Sequence, residues 1–167
     1  MAAEKAQAAG VKVSCDLNFR KNLWRWRPGT DAQSLARSVM PSFLEQVNVV
    51  IGNEEDAADV LDIHAGETDV HAGSLQVDRY PEVARQIASR FSKVDTVAIT
   101  LRESLSASHN NWGAMLYDGN QDAAVFAPMN GEQYQPYEIR NIVDRVGGGD
   151  SFAAGLIYAM SCGDYKS

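Results

Sequence analysis

Three consecutive glycines, Gly147, Gly148 and Gly149, stand directly before Asp150 and a run of helix formers that includes Phe152, Ala153, Ala154, Leu156, Ile157, Ala159 and Met160. A string of this kind leaves the backbone few options. Glycines permit a tight turn, and the apolar run behind them reads as a buried helix that begins where the turn ends. The first-turn N–H groups and the positive end of the helix dipole then face whatever lies over the glycines, which makes the turn an anion site. A carboxylate repels an anion, so Asp150 has two readings. It caps the helix, or it accepts a proton from a nucleophile that attacks the bound anion, as phosphoryl transfer to an alcohol requires. The spacing alone leaves both open.

Upstream, short apolar runs alternate with amphipathic helices. Residues 2–9 are helix formers closed by Gly10, and residues 11–17 read as a strand buried in a parallel sheet. Residues 31–46 carry Leu35, Val39, Phe43 and Leu44 at helical spacing, with Asp31 as N-cap and Pro41 as a kink. Residues 47–52 form a second buried strand, after which Asn53-Glu54-Glu55-Asp56 opens another helix. Residues 79–91 repeat the pattern with Val83, Ile87 and Phe91, and residues 94–100 give a third strand. Residues 112–117 and 123–127 flank Asp118-Gly119-Asn120, a hairpin signal. Residues 62–74 and 134–137 read as connections. The expected architecture is one α/β domain over residues 1–167, three-layered α/β/α with a mostly parallel sheet.

Ligands of open α/β sheets bind just outside the carboxyl ends of the strands. Asp16, Asn18 and Arg20 leave one such end, and Arg20 offers a guanidinium fork suited to phosphate or carboxylate oxygens. A polar turn with Arg20 in a surface ion pair fits the spacing equally. The carboxylates after Asn53 either complement the helix dipole or form part of a hard-cation site around Mg²⁺ on a nucleotide. His64 and His71 lack partners at metal-ligand spacing and read as loop residues. Leu23 and Trp24 read as packing residues, and Cys15 and Cys162 as reduced core thiols of a cytoplasmic protein.

A net charge of -7 and a pI near 4.9 argue against nucleic acid or an anionic membrane as the main partner, because both demand a basic face. With 45% hydrophobic residues in 167, the chain is long enough to bury a core, and no run approaches a transmembrane span.

The string from Asp144 to Asp150 resembles the signature of the ribokinase-like (PfkB) carbohydrate kinases, in which an Asp and two further residues precede Gly-Ala-Gly-Asp. Gly148 stands where that family carries alanine, and Arg145 where it commonly carries threonine. The resemblance implies an anion hole at Gly147, Gly148 and Gly149 and a general base at Asp150. Residues 16–24, Asp-Leu-Asn-Phe-Arg-Lys-Asn-Leu-Trp, resemble the 2-keto-3-deoxygluconate kinase branch, which implies substrate or phosphate binding by Asp16, Asn18 and Arg20. Asn53 and Asp56 align with an Asn-x-x-Glu metal motif, with Asp56, one methylene shorter, in the Glu position and the metal contact water-mediated or shared with Glu55, which implies Mg²⁺. Thr100-Leu101-Arg102 matches in position a Thr-Leu-Gly segment, with Arg102 replacing the glycine, and implies a nucleotide-binding set of Thr100, Arg102, Ser104 and Asp144.

By this resemblance the chain phosphorylates a sugar acid with MgATP, most closely 2-keto-3-deoxygluconate to its 6-phosphate. Family members are roughly twice as long. The resemblance therefore implies a ribokinase-like fold truncated at both ends, lacking the sugar-binding N-terminal part and its lid. Weak or no turnover is expected of such a chain alone, and the alternative to the kinase is a non-catalytic nucleotide- or phosphate-binding fragment that needs a partner chain or is inactive; the open edges favour homo-oligomers or self-association.

Overall fold

A computed structural model describes residues 2–64 and 77–163. Val49, Val50 and Ile51 carry no polar group, and the strand they form, β2 (Val49–Gly52), is buried along its whole length. It pairs in parallel with β1 (Ser14–Asp16) on one side and β3 (Thr96–Ser106) on the other. β3 then turns back into β4 (His109–Asp118), which pairs antiparallel with β3, with β5 (Ala123–Ala127) and with β8 (Tyr137–Ile139). The result is a mixed sheet in the order β1-β2-β3-β4-β5, with β8 beside the outer half of β4. β6 (Met129–Asn130) and β7 (Gln133–Tyr134) make a separate small ribbon.

The period of two sorts the strand residues by face. Val50, Val97, Ile99, Leu101, Met115 and Tyr117 point to the main core, where α2 (Ala32–Leu44), α3 (Glu54–Leu61) and α4 (Tyr80–Arg90) cover the sheet with Leu44, Val60, Val83 and Ile87. Val49, Ile51 and Ala98 point the other way, toward α5 (Gly148–Cys162). Helices thus lie on both faces of the sheet, the expected three-layer arrangement. Asp31 caps α2 by accepting from Ser34 N at 3.0 Å, and the helix runs through Pro41. Arg37 and Arg90 hold the C-terminal end of α3 by donating to Ala58 O (2.6 Å), Asp59 O (3.1 Å) and Leu61 O (2.7 Å). Because both ends of α3 are tied, its N-terminus has a fixed position under the sheet edge. α1 (Ala2–Ala8) closes before Gly10, whose φ is +73°, and Gln7 ties it to Asn48.

Five expectations need correction. β1 is an edge strand with Ser14 and Asp16 exposed, because nothing pairs beyond it. α5 has no buried residue: Phe152, Ala153, Leu156 and Met160 pack on the sheet, while Ile157 and Tyr158 face away and are exposed. Its apolar sequence suggested burial, but among the described residues no element covers its far side. Cys162 at its end is therefore exposed, and only Cys15 is half-buried. Leu23 is exposed as well, leaving Trp24 as the partly buried residue of that pair. Finally, β3 does not stop at Thr100 but continues six residues, so Thr100 and Arg102 lie mid-strand. The His71 expectation falls outside the described residues, whereas His64 sits on the surface against Asp62.

Candidate active site

Polar residues after an apolar strand have only backbone groups and solvent to satisfy them, and at the end of β2 they satisfy each other. Asn53 caps α3, its side chain accepting from Asp56 N at 2.8 Å, and Asp56 accepts back from Asn53 N at 3.3 Å. The other Asp56 oxygen accepts Phe19 N–H at 2.8 Å. That bond ties residues 16–20 to the start of α3. Glu54 accepts a hydrogen bond from the buried Tyr80 hydroxyl at 3.0 Å, while Glu55 is exposed and makes no hydrogen bond or ion pair among the described residues.

After β1 the chain turns sharply at Asn18, which has a φ of +32°, a left-handed value that Asn tolerates better than most residues. The turn leaves Asp16 and Arg20 on the same cavity wall. Although Asp16 is solvent-exposed overall, its carboxyl is raised above the usual range by partial burial, then by the charges of Asp56 and Asp150, against the lowering effects of Asn18 N–H and Arg20. Asp56 is raised for the same first reason, burial, with hydrogen bonds from Phe19 and Asn53 opposing it. A cluster of carboxylates facing a common space repels itself, which is useful only where a cation or a proton resides.

Gly147 precedes α5 with a φ of +80° and gives the helix no side-chain cap. Asp150 is the third helical residue, and its side chain does not cap either. The capping reading of Asp150 is thereby set aside. Ser151 N bonds Gly147 O at 2.8 Å and Gly148 N reaches Arg145 O at 3.4 Å, leaving Gly149 N and Asp150 N without a backbone acceptor. A Cβ on Gly147 or Gly149 would meet nothing, and one on Gly148 would touch only the Trp112 ring at 4.0 Å. The turn is open above and bare of side chains, as an anion cradle needs to be.

These segments line one cavity of about 650 Å³. Of the residues singled out from sequence, Asp16, Asn18, Arg20, Asn53, Glu55, Asp56, Thr100, Arg102, Gly147, Gly148, Gly149 and Asp150 are brought together there. Two are not. Ser104 bonds Asn110 at 3.1 Å beyond the cavity, and Asp144 accepts Val146 N–H at 2.9 Å in a local turn. Sequence reasoning missed several wall residues. Trp112 is the cross-strand partner of Arg102 and stands over Gly148. Tyr80, which donates to Glu54, also lines the cavity, and Arg145 stands just before the glycines. An alternation count along β4 would have put Trp112 on the same face as Thr100 and Arg102; the other two depend on long-range contacts. The cavity lining mixes charges, with the carboxylates Asp16, Glu54, Glu55, Asp56 and Asp150 and the guanidinium groups Arg20, Arg102 and Arg145. Among the described residues no group of three His, Cys, Asp or Glu side chains is placed to hold a metal ion on protein ligands alone, and no helix is long and apolar enough to cross a membrane.

No family model and no curated protein matches the chain. Solved structures do. A 2-dehydro-3-deoxygluconokinase from Thermotoga maritima is 40% identical, with a TM-score of 0.77 over 97% of this chain and 42% of its own. A PfkB family carbohydrate kinase from Listeria grayi is 23% identical, with a TM-score of 0.71 over 98% of this chain and 42% of its own. A pyridoxal kinase from Bacillus subtilis, solved as an ADP complex, is 18% identical, with a TM-score of 0.59 over 97% of this chain and 50% of its own. The latter two share the fold alone. The chain spans 42% of the length of the first two kinases it matches.

Proposed function

The chain is kin to the PfkB carbohydrate kinases, and on that premise we propose that it carries the phosphoryl-transfer site of an ATP-dependent sugar-acid kinase. The acceptor proposed is 2-keto-3-deoxygluconate, phosphorylated at its terminal hydroxyl to the 6-phosphate. One observation carries the reading. The Asp150 carboxylate, uncapped, lies beside two unsatisfied first-turn N–H groups in a cavity that also holds Arg20, Arg102 and Arg145. A base beside a preorganised anion cradle is what in-line transfer to an alcohol demands.

In that mechanism Asp150 accepts the hydroxyl proton as the oxygen bonds to the γ-phosphorus. The bond from that phosphorus to the β–γ bridging oxygen breaks, and ADP leaves with its electrons. Gly149 N–H and Asp150 N–H, with Arg20, take up charge on the transferring oxygens. Thr100 and Arg102, which line the same cavity, would contact the nucleotide. Asn53, Glu55 and Asp56 would hold a Mg²⁺ ion that arrives on the nucleotide, and that ion would neutralise phosphate charge. The donor set fits only with phosphate and water oxygens completing it, since Asn53 and Asp56 already accept backbone N–H groups.

One feature favours a second reading for the chain by itself, nucleotide or phosphate binding without transfer. Gly148, Gly149 and Asp150 are exposed, so water has free access to the phosphoryl group. A coupled assay for ADP release with MgATP and 2-keto-3-deoxygluconate separates the two. Acceptor-dependent ADP release that is lost in Asp150→Asn supports transfer. MgATP binding with no acceptor-dependent release supports the second reading, and absence of both refutes the proposal.

A further inference from the structure

The glycine turn has almost no apolar anchorage. Val143 and Val146, its nearest upstream hydrophobic residues, are 101% and 91% exposed. What holds the segment is polar and distant in sequence. The Arg145 guanidinium donates to Ser106 O at 2.6 Å, at the end of β3, and to Ala107 O, in the turn joining β3 to β4, and reaches Ser104 Oγ at 3.5 Å. Ile142 N adds a bond to Ser108 O at 3.0 Å. Backbone carbonyls at a hairpin tip carry no sequence signal, and a guanidinium is the side chain able to bridge several of them at once.

We propose that Arg145 is a positioning residue that clamps the Gly147-Gly148-Gly149 turn onto the tip of the β3–β4 hairpin, and so sets the anion cradle opposite Arg102 and Trp112. The inference rests on the proposed anion site for its functional meaning, although the clamp itself is a matter of contacts. With Nη2 held by two hairpin carbonyls, Arg145 shapes the cradle and is not a freely mobile phosphate ligand. A lysine keeps the charge but, as a compact ammonium, does not reproduce the planar bridge. The clamp therefore predicts that Arg145→Lys behaves much like Arg145→Ala. A residue acting through charge alone would tolerate lysine.

Trp112 supplies a ligand-independent readout, because its ring lies beside Gly148. In a Trp24→Phe, Trp26→Phe background it is the remaining tryptophan of the three in the chain. Its emission is expected to shift in both Arg145→Lys and Arg145→Ala. In Arg145→Ala, millimolar guanidinium, far below denaturing levels, is expected to return it toward the parent value. Calorimetric titration of MgATP should show affinity reduced about tenfold or more in both variants. Arg145 is exposed and outside the core, so circular dichroism should be unchanged. Unchanged Trp112 emission in both variants overturns the clamp, as does Arg145→Lys binding MgATP like wild type. If wild type binds no MgATP, the kinase reading fails, while the emission and its guanidinium rescue still decide the clamp.

Discussion

Asp56 is where the fold and the proposed site meet, and replacing it by alanine gives a change whose size follows from two lost hydrogen bonds and one relieved burial penalty. The substitution removes the acceptor for Phe19 N–H, a half-buried donor at 2.8 Å. Leaving such a donor unpaired costs about 1–2 kcal/mol. It also removes half of the capping box, whose 3.3 Å bond from Asn53 N is long and contributes roughly 0.5 kcal/mol. Against these losses stands the removal of a carboxylate that burial already penalises. The net expectation is a loss of about 1–2 kcal/mol, which for a domain of this size lowers Tm by roughly 3–6 °C. Thermal unfolding followed by far-UV circular dichroism reads this directly. Asp56→Asn, which keeps one acceptor but turns an amide N–H toward the second donor, should fall between wild type and Asp56→Ala. An Asp56→Ala protein melting within about 1 °C of wild type would refute the idea that this side chain staples residues 16–20 to α3.

Two further expectations concern the same cavity. Gly147 has a φ of +80° and Gly148 does not require a positive value, so Gly147→Ala should lose about 1 kcal/mol in urea unfolding. Gly148→Ala, whose Cβ meets the Trp112 ring at 4.0 Å, should be neutral or gain up to about 1 kcal/mol. Equal losses at the two positions would contradict the turn geometry. Asp16 has a folded pKa raised above the 3.8 of the free side chain, so the folded state holds the proton longer and stability falls as pH rises from about 4 through the raised value. Asp16→Asn should then be more stable than wild type at pH 7, by less than about 1 kcal/mol because the residue is exposed, and equal to it near pH 3. A loss of stability at pH 7 would exclude the carboxylate repulsion inferred here.

Local chemistry made much of the scaffold legible in advance. Asp31 announces a helix start because a short polar side chain before a helical repeat has few other uses, and it caps as expected; Asn53, read as the start of a helix, proves to cap that helix as well. Residues 47–52 read as a buried strand for their apolar run after Asn48, and the glycine turn reads as a helix start because of the apolar helix formers behind it; the strand itself begins at Val49. The outer half of the β3–β4 hairpin was illegible for an equally physical reason. From Arg102 to Ser106 the strand runs past the core, so burial imposes no alternation on it, and only pairing with β4 keeps it extended. Arg145, Tyr80 and Glu54 act through partners some 26 to 41 residues away, a distance over which sequence spacing carries no signal. Burial of α5 was overestimated because apolar composition reports what a helix can bury, not what lies beside it.

The most direct test of the anion cradle and its base is calorimetric titration of MgATP into wild type, Asp150→Asn and Gly148→Asp. Removing the carboxylate of Asp150 takes a negative charge away from the cradle, whereas Gly148→Asp sets one into it beside Trp112. The kinase reading predicts binding to wild type that persists or tightens in Asp150→Asn and is lost in Gly148→Asp, with all three proteins equally folded. Absence of binding to wild type, or binding indifferent to a carboxylate at position 148, would contradict it.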